Sequence, residues 1–165
     1  MRNRALLLGI IGLGLCLIGW AIFGRETDEE AIRRRLMELS TKVSIDPSEG
    51  IVVRGFRLKR DLPDYLAEDA KFHVPQVGGD MSRGEVIASA IGAATRWPSA
   101  QIGWSGVEVT LGGPSAAHLQ GLAELTRRDD GGARSTERKI TIDWVKRDGD
   151  WMVQSLDVGD APNEE

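Results

Sequence analysis

The chain has 165 residues, and from Glu26 onward it carries 18 basic against 25 acidic side chains, a net −7. That balance excludes recruitment of nucleic acid or anionic lipid by overall charge, since both reward a basic surface. The only cysteine, Cys16, lies near the start, which excludes a disulfide framework or a cysteine-based zinc site in the rest of the chain.

Residues 5–23 read ALLLGIIGLGLCLIGWAIF without a charge. At about 1.5 Å per residue they span roughly 28 Å, close to the thickness of a bilayer's hydrocarbon core. The pattern predicts a transmembrane anchor over residues 1–24. Arg2 and Arg4 precede the span and an acidic stretch follows it, so the positive-inside rule places the N-terminus in the cytoplasm and the remainder outside. Arg33, Arg34 and Arg35 count against that orientation. Gly19-Trp20-Ala21 offers an alternative, export followed by signal cleavage. An exported domain without disulfides is ordinary for a bacterium.

Residues 25–158 read as one α+β domain, with an acidic tail over 159–165 that is expected to fray. Thr27-Asp28-Glu29-Glu30 is a capping box, and Ile32, Leu36, Leu39 and Val43 repeat at helical spacing behind it. The arginines Arg33 to Arg35 follow a run of acids and read as a solvated face with local ion pairs. Ser48–Lys59 reads either as a short strand or as an irregular loop. Asp61–Leu66 predicts a short helix with proline in its first turn. Ala70–Pro75 predicts a strand, and Gly78-Gly79-Asp80 a turn.

Ser82-Arg83-Gly84-Glu85 is a second capping box. It opens a helix with Val86, Ile87, Ile91 and Ala94 on one face, ended by Trp97-Pro98. From there the period becomes that of a strand. Ile102 and Trp104 share one parity and Val107, Val109 and Leu111 the other, a switch that a β-bulge at Ser105-Gly106 would produce. Three further strands are predicted, Ala116–Arg127, Thr136–Val145 and Trp151–Val158. They are separated by turns at Gly112–Pro114, Asp129–Gly132 and Arg147–Asp150. Helices first and a strand meander last predict helices packed on one face of a curved antiparallel sheet.

This order, the Ser82–Glu85 helix start, and above all Ile142-Asp143-Trp144-Val145-Lys146-Arg147-Asp148-Gly149-Asp150-Trp151-Met152-Val153 resemble the NTF2-like (SnoaL-like, cone-shaped) superfamily. The resemblance implies a bent sheet around a pocket closed by the helices. The superfamily includes isomerase- and cyclase-type enzymes as well as binding and scaffold modules, so the fold leaves function open. An N-terminal anchor is more like the scaffold members, which bind a protein partner or form a homodimer. The alternative is a small-molecule ligand pocket of the isomerase or cyclase kind. For that reading the candidate acid–base residues are Asp143, His118 and His73, and Tyr65, Trp97 and Trp104 are candidate pocket-lining aromatics. Asp143 lies on the opposite parity from Ile140, Ile142 and Trp144, which predicts a solvent-facing carboxylate. No metal site or cofactor is implied by the spacing, and no Walker, dinucleotide or Ser-His-Asp signature is present.

Overall fold

The computed structural model describes residues 26–75, 79–129 and 131–160. The predicted anchor at residues 5–23 lies outside the described residues. Among those described, no helix is long and apolar enough to cross a membrane.

Helix α1 spans Asp28–Val43 and opens with the predicted capping box, Thr27 and Glu30 exchanging side-chain and main-chain bonds. Ile32 and Leu36 are fully buried. Its arginines do more than salt a solvated face. Arg33 donates to the carbonyl of Val107 at 2.8 Å, and Arg35 to those of Trp151 at 3.1 Å and Asp64 at 2.5 Å. The helix is thereby tied to segments far along the chain, around Val107 and Trp151.

The segment read as a strand or loop is instead helix α2, Ile51–Asp61. Its β-branched start, Ile51-Val52-Val53, favours a strand. Tertiary contacts override it, because Arg54, Leu58 and Asp61 recur at helical spacing and are the residues buried. The short helix expected over Asp61–Leu66 shrinks to a 3-10 turn at Leu62–Asp64, its first residue being claimed by α2.

Strand β1 (Leu66–Val74) is longer than its alternating stretch indicates. The expected glycine turn is in part strand β2, Gly79–Ser82, paired antiparallel to β1. Helix α3 (Arg83–Arg96) opens on the second capping box and Trp97 caps its end. The meander follows as β3 (Ser99–Gly113), β4 (Ala116–Asp129), β5 (Gly132–Arg147) and β6 (Asp150–Val158). Asp148 and Gly149, both at positive φ (52° and 96°), make the β5–β6 turn, the combination that a type I′ hairpin needs.

The six strands run in the order β2-β1-β6-β5-β4-β3. β1 and β6 are parallel, so the sheet is mixed rather than wholly antiparallel as predicted. The reason lies in the connection. The α3 crossover carries the chain from β2 to the far edge of the sheet, and the meander returns until β6 meets β1 in the same direction. The tail does not fray at once, for the Gly159 amide donates to the Lys139 carbonyl at 2.8 Å.

Candidate functional site

The sheet has an inner face under the helices and an outer face without them, and side-chain alternation decides which residues reach each. On β5, Ile140, Ile142 and Trp144 are buried and Asp143 is exposed. On β3 the inner residues are Ile102 and Trp104, then Val107 and Val109. The parity switches where the register to β4 slips between Ser105 and Glu108 and Gly106 adopts φ +58°. The bulge is what lets both halves of one long strand keep apolar side chains inward.

Between the inner face and the helices lies an apolar cavity of about 210 Å³. α1 contributes Leu36, Leu39, Ser40 and Val43, α3 contributes Val86 and Ala90, and the sheet contributes Phe72, Trp104 and Ile142 among others. None of its lining side chains titrates. The polar groups at its wall satisfy each other, since Trp104 Nε1 donates to Ser40 Oγ at 2.6 Å and Ser40 Oγ donates to the Leu36 carbonyl at 2.8 Å. Larger hollows of about 550 Å³ are open grooves beside Pro47. There the carboxylate of Glu49 is engaged by Arg57 at 2.9 Å.

The three candidate acid–base residues all stand on the outer face. His118 Nδ1 lies 2.8 Å from Asp143 Oδ1, and Ser155 Oγ donates to Asp143 Oδ2 at 2.7 Å. Serine, imidazole and carboxylate are together, but the carboxylate sits in the middle. A serine nucleophile needs the imidazole next to it to take its proton, so this cluster cannot act as a relay. Ser155 and then His118 hold the Asp143 carboxyl below the usual aspartate range, which stabilises the anion rather than a reactive acid. His73 Nδ1 pairs with Asp80 at 2.9 Å. That bond, and beyond it the charge of Asp157, push the imidazole above its ordinary value.

The candidate pocket aromatics separate. Trp104 lines the cavity. Tyr65 is buried beneath the Arg35 guanidinium, 4.3 Å from its ring, and Trp97 caps α3 with Arg127 5.1 Å from its ring. Neither borders the cavity. Ser40 and Phe72 were not singled out from the sequence. The apolar stripe of α1 is the signal that could have found Ser40, since it falls one turn after Leu36. Among the described residues no group of three histidines, cysteines or carboxylates could hold a metal ion.

No protein-family profile matches the chain, and no curated protein matches it in sequence. Solved structures do match in fold. A chain from Xanthomonas campestris described as a calcium/calmodulin-dependent protein kinase II association domain superposes with a TM-score of 0.64 at 15% identity, covering 85% of this chain and 91% of that one. One from Novosphingobium aromaticivorans described as a scytalone dehydratase gives 0.65 at 14% identity, covering 79% and 82%. A Caulobacter vibrioides protein described as having a cystatin-like fold gives 0.61 at 13% identity, covering 82% and 90%. The described domain therefore has the cone-shaped α+β fold of the NTF2-like proteins. At these identities the likeness extends to the fold alone, and the neighbours' descriptions span an association domain and a dehydratase.

Proposed function

We propose that the chain is a membrane-anchored, extracytoplasmic NTF2-like module that works by contact with a protein partner or a second copy, without catalysis. The observation that supports it is the division of the sheet. The cavity holds no acid or base, while Asp143, His118 and His73 stand on the other face. General acid–base chemistry needs such a group within hydrogen-bond reach of the reacting atom, and here the sheet itself intervenes. The outer face is free of helices, and its paired polar rows make a broad surface for a partner. The tether follows from residues 5–23, and the outward orientation from Arg2 and Arg4.

Two measurements test this. A C-terminal alkaline phosphatase fusion is expected to be active, and an inactive fusion overturns the orientation. A benzophenone side chain in place of Gln120, exposed on the outer face of β4, is expected to give one discrete protein adduct in cells. The adduct should persist in a His118→Gln/Asp143→Asn variant. Adducts from the cavity side only, or none, overturn the contact surface.

The cavity supports a second reading, a binder of small apolar molecules. Its lining carries almost no exposed polar surface, which suits a hydrocarbon ligand. Saturable binding of such a probe, lost on filling the cavity, would favour it.

A further inference from the structure

Four of the six large exposed hydrophobic side chains of the described domain fall on one helix, α2: Ile51, Val52, Val53 and Phe56. Val52, Val53 and Phe56 are 70%, 59% and 71% exposed. They lie at spacings of three and four, so they form one outward stripe, which Lys59 and Arg60 continue on the next turn. The helix does not need that stripe to stay folded. Its inner side is held by buried Leu58 and by Arg54, which donates to the carbonyls of Asp46 at 2.6 Å and Trp97 at 3.3 Å. Arg57 binds Glu49 and the Ser44 carbonyl.

We infer that the outward face of α2 lies on an anionic bilayer surface, the same bilayer to which residues 5–23 tether the chain. The inference rests on the tether proposed above. Charge complementarity selects lipid. The chain from Glu26 onward is net negative, yet the charges on the outward face of α2 are Lys59 and Arg60, the latter also reaching Asp61 at 2.6 Å, while Arg54 and Arg57 are held inward. Its first turn has no acid and its cap, Gly50, makes no side-chain bond to the free amides. The positive end of the helix dipole therefore stands among the exposed apolar side chains. A short basic amphipathic helix of this kind sits in the interface plane, with lysine and arginine reaching the headgroups.

The chain outside the described residues supplies the second argument. Four residues separate Phe23 from Asp28, which keeps the start of α1 within roughly 18 Å of the end of the span. α1 is 16 residues long, about 24 Å, and α2 packs at its far end through Lys42–Asp61 at 2.9 Å, so α2 meets the bilayer with α1 lying along its surface. Four apolar side chains alone would bind a bilayer weakly. A tether makes the contact intramolecular, so weak affinity suffices.

The test uses the full chain with Cys16→Ser, carrying a nitroxide at Phe56→Cys or, as control, at Glu124→Cys on the outer sheet face. It is reconstituted in nanodiscs of phosphatidylcholine alone or in equal parts with phosphatidylglycerol. In the anionic discs the label at position 56 is expected to become oxygen-accessible and shielded from a water-soluble nickel chelate, while the control stays wet. Lys59→Glu/Arg60→Glu should return the label at position 56 to water. A position-56 label as wet as the control in the anionic discs overturns docking. Spin–spin broadening at position 56 also overturns it, because it assigns the face to a second copy.

Carbonate extraction from membranes scores the tether independently. Retention with a wet label refutes docking alone. Release, with vesicle-bound protein still reporting acyl chains at position 56, refutes the tether alone. Release with a wet label refutes both.

Discussion

Single residues in this domain are mostly committed to holding elements together, and the polar ones show it best. Asp61 ends α2 and receives Arg60 Nε at 2.6 Å and Lys42 Nζ at 2.9 Å. These partners, Arg60 first, pull its carboxyl down to about 2 from an ordinary 3.8. A carboxyl depressed in the folded state stabilises fully above its unfolded pKa and loses that contribution as pH falls through the folded one. The domain is therefore expected to lose stability between about pH 4 and pH 2, partly through this group. Asp61→Asn should be less stable at neutral pH and show a shallower acid limb over that window in urea melts. An unchanged acid limb would show that Asp61 is not the titrating group. The candidate acid–base residues obey the same logic of local pairing. The exposure of Asp143 was legible from parity on β5, but the partners of all three residues were not. His118 meets Asp143 only because β4 and β5 pair in that register, and register between strands far apart in sequence is not written in either strand alone.

Elements were legible where local chemistry and tertiary packing agree. Both capping boxes, the Asp148-Gly149 turn and the bulge at Gly106 appear where the residues place them. α2 was not legible because, Leu58 apart, its large apolar residues face away from the core. Reading apolar periodicity as burial fails when a helix buries Arg54 and exposes Phe56. β2 was missed because a strand of four residues beginning on glycine looks like a turn until β1 pairs with it.

The bulge allows a quantitative check at this scale. A side chain at Gly106 would meet nothing within 4 Å, but its φ of +58° is left-handed. Gly106→Ala should therefore cost about 1 kcal/mol through backbone strain alone. Gly103→Ala, three residues earlier on the same strand with equally open space and no positive φ, should be neutral or stabilising. Urea midpoints measure both, and equal effects would refute the strain argument.

At the scale of the whole molecule, the fold places an apolar cavity on one side of the sheet and ordered polar pairs on the other. That arrangement bears on function more than any single residue does. Packed interiors contain few voids larger than a water molecule, so a cavity of about 210 Å³ lined by Leu36, Phe72, Trp104 and Ile142 forgoes contacts that its walls could make. The cost can be recovered from α3. Ala90 lines the cavity, and replacing it by leucine adds three carbons there, each worth up to about 0.8 kcal/mol when buried. Allowing for lost side-chain freedom and some misfit, Ala90→Leu should stabilise the domain by about 1 kcal/mol. Thermal or urea unfolding reads that gain directly, and a loss of stability would mean that the walls cannot accept the side chain. The same variant separates the two functional readings. If the cavity serves an apolar ligand, Ala90→Leu abolishes probe binding while the Gln120 adduct is unaffected. If the outer face and α2 carry the function, the filled variant keeps both the adduct and the lipid contact at Phe56, and the void is left as a property of the cone.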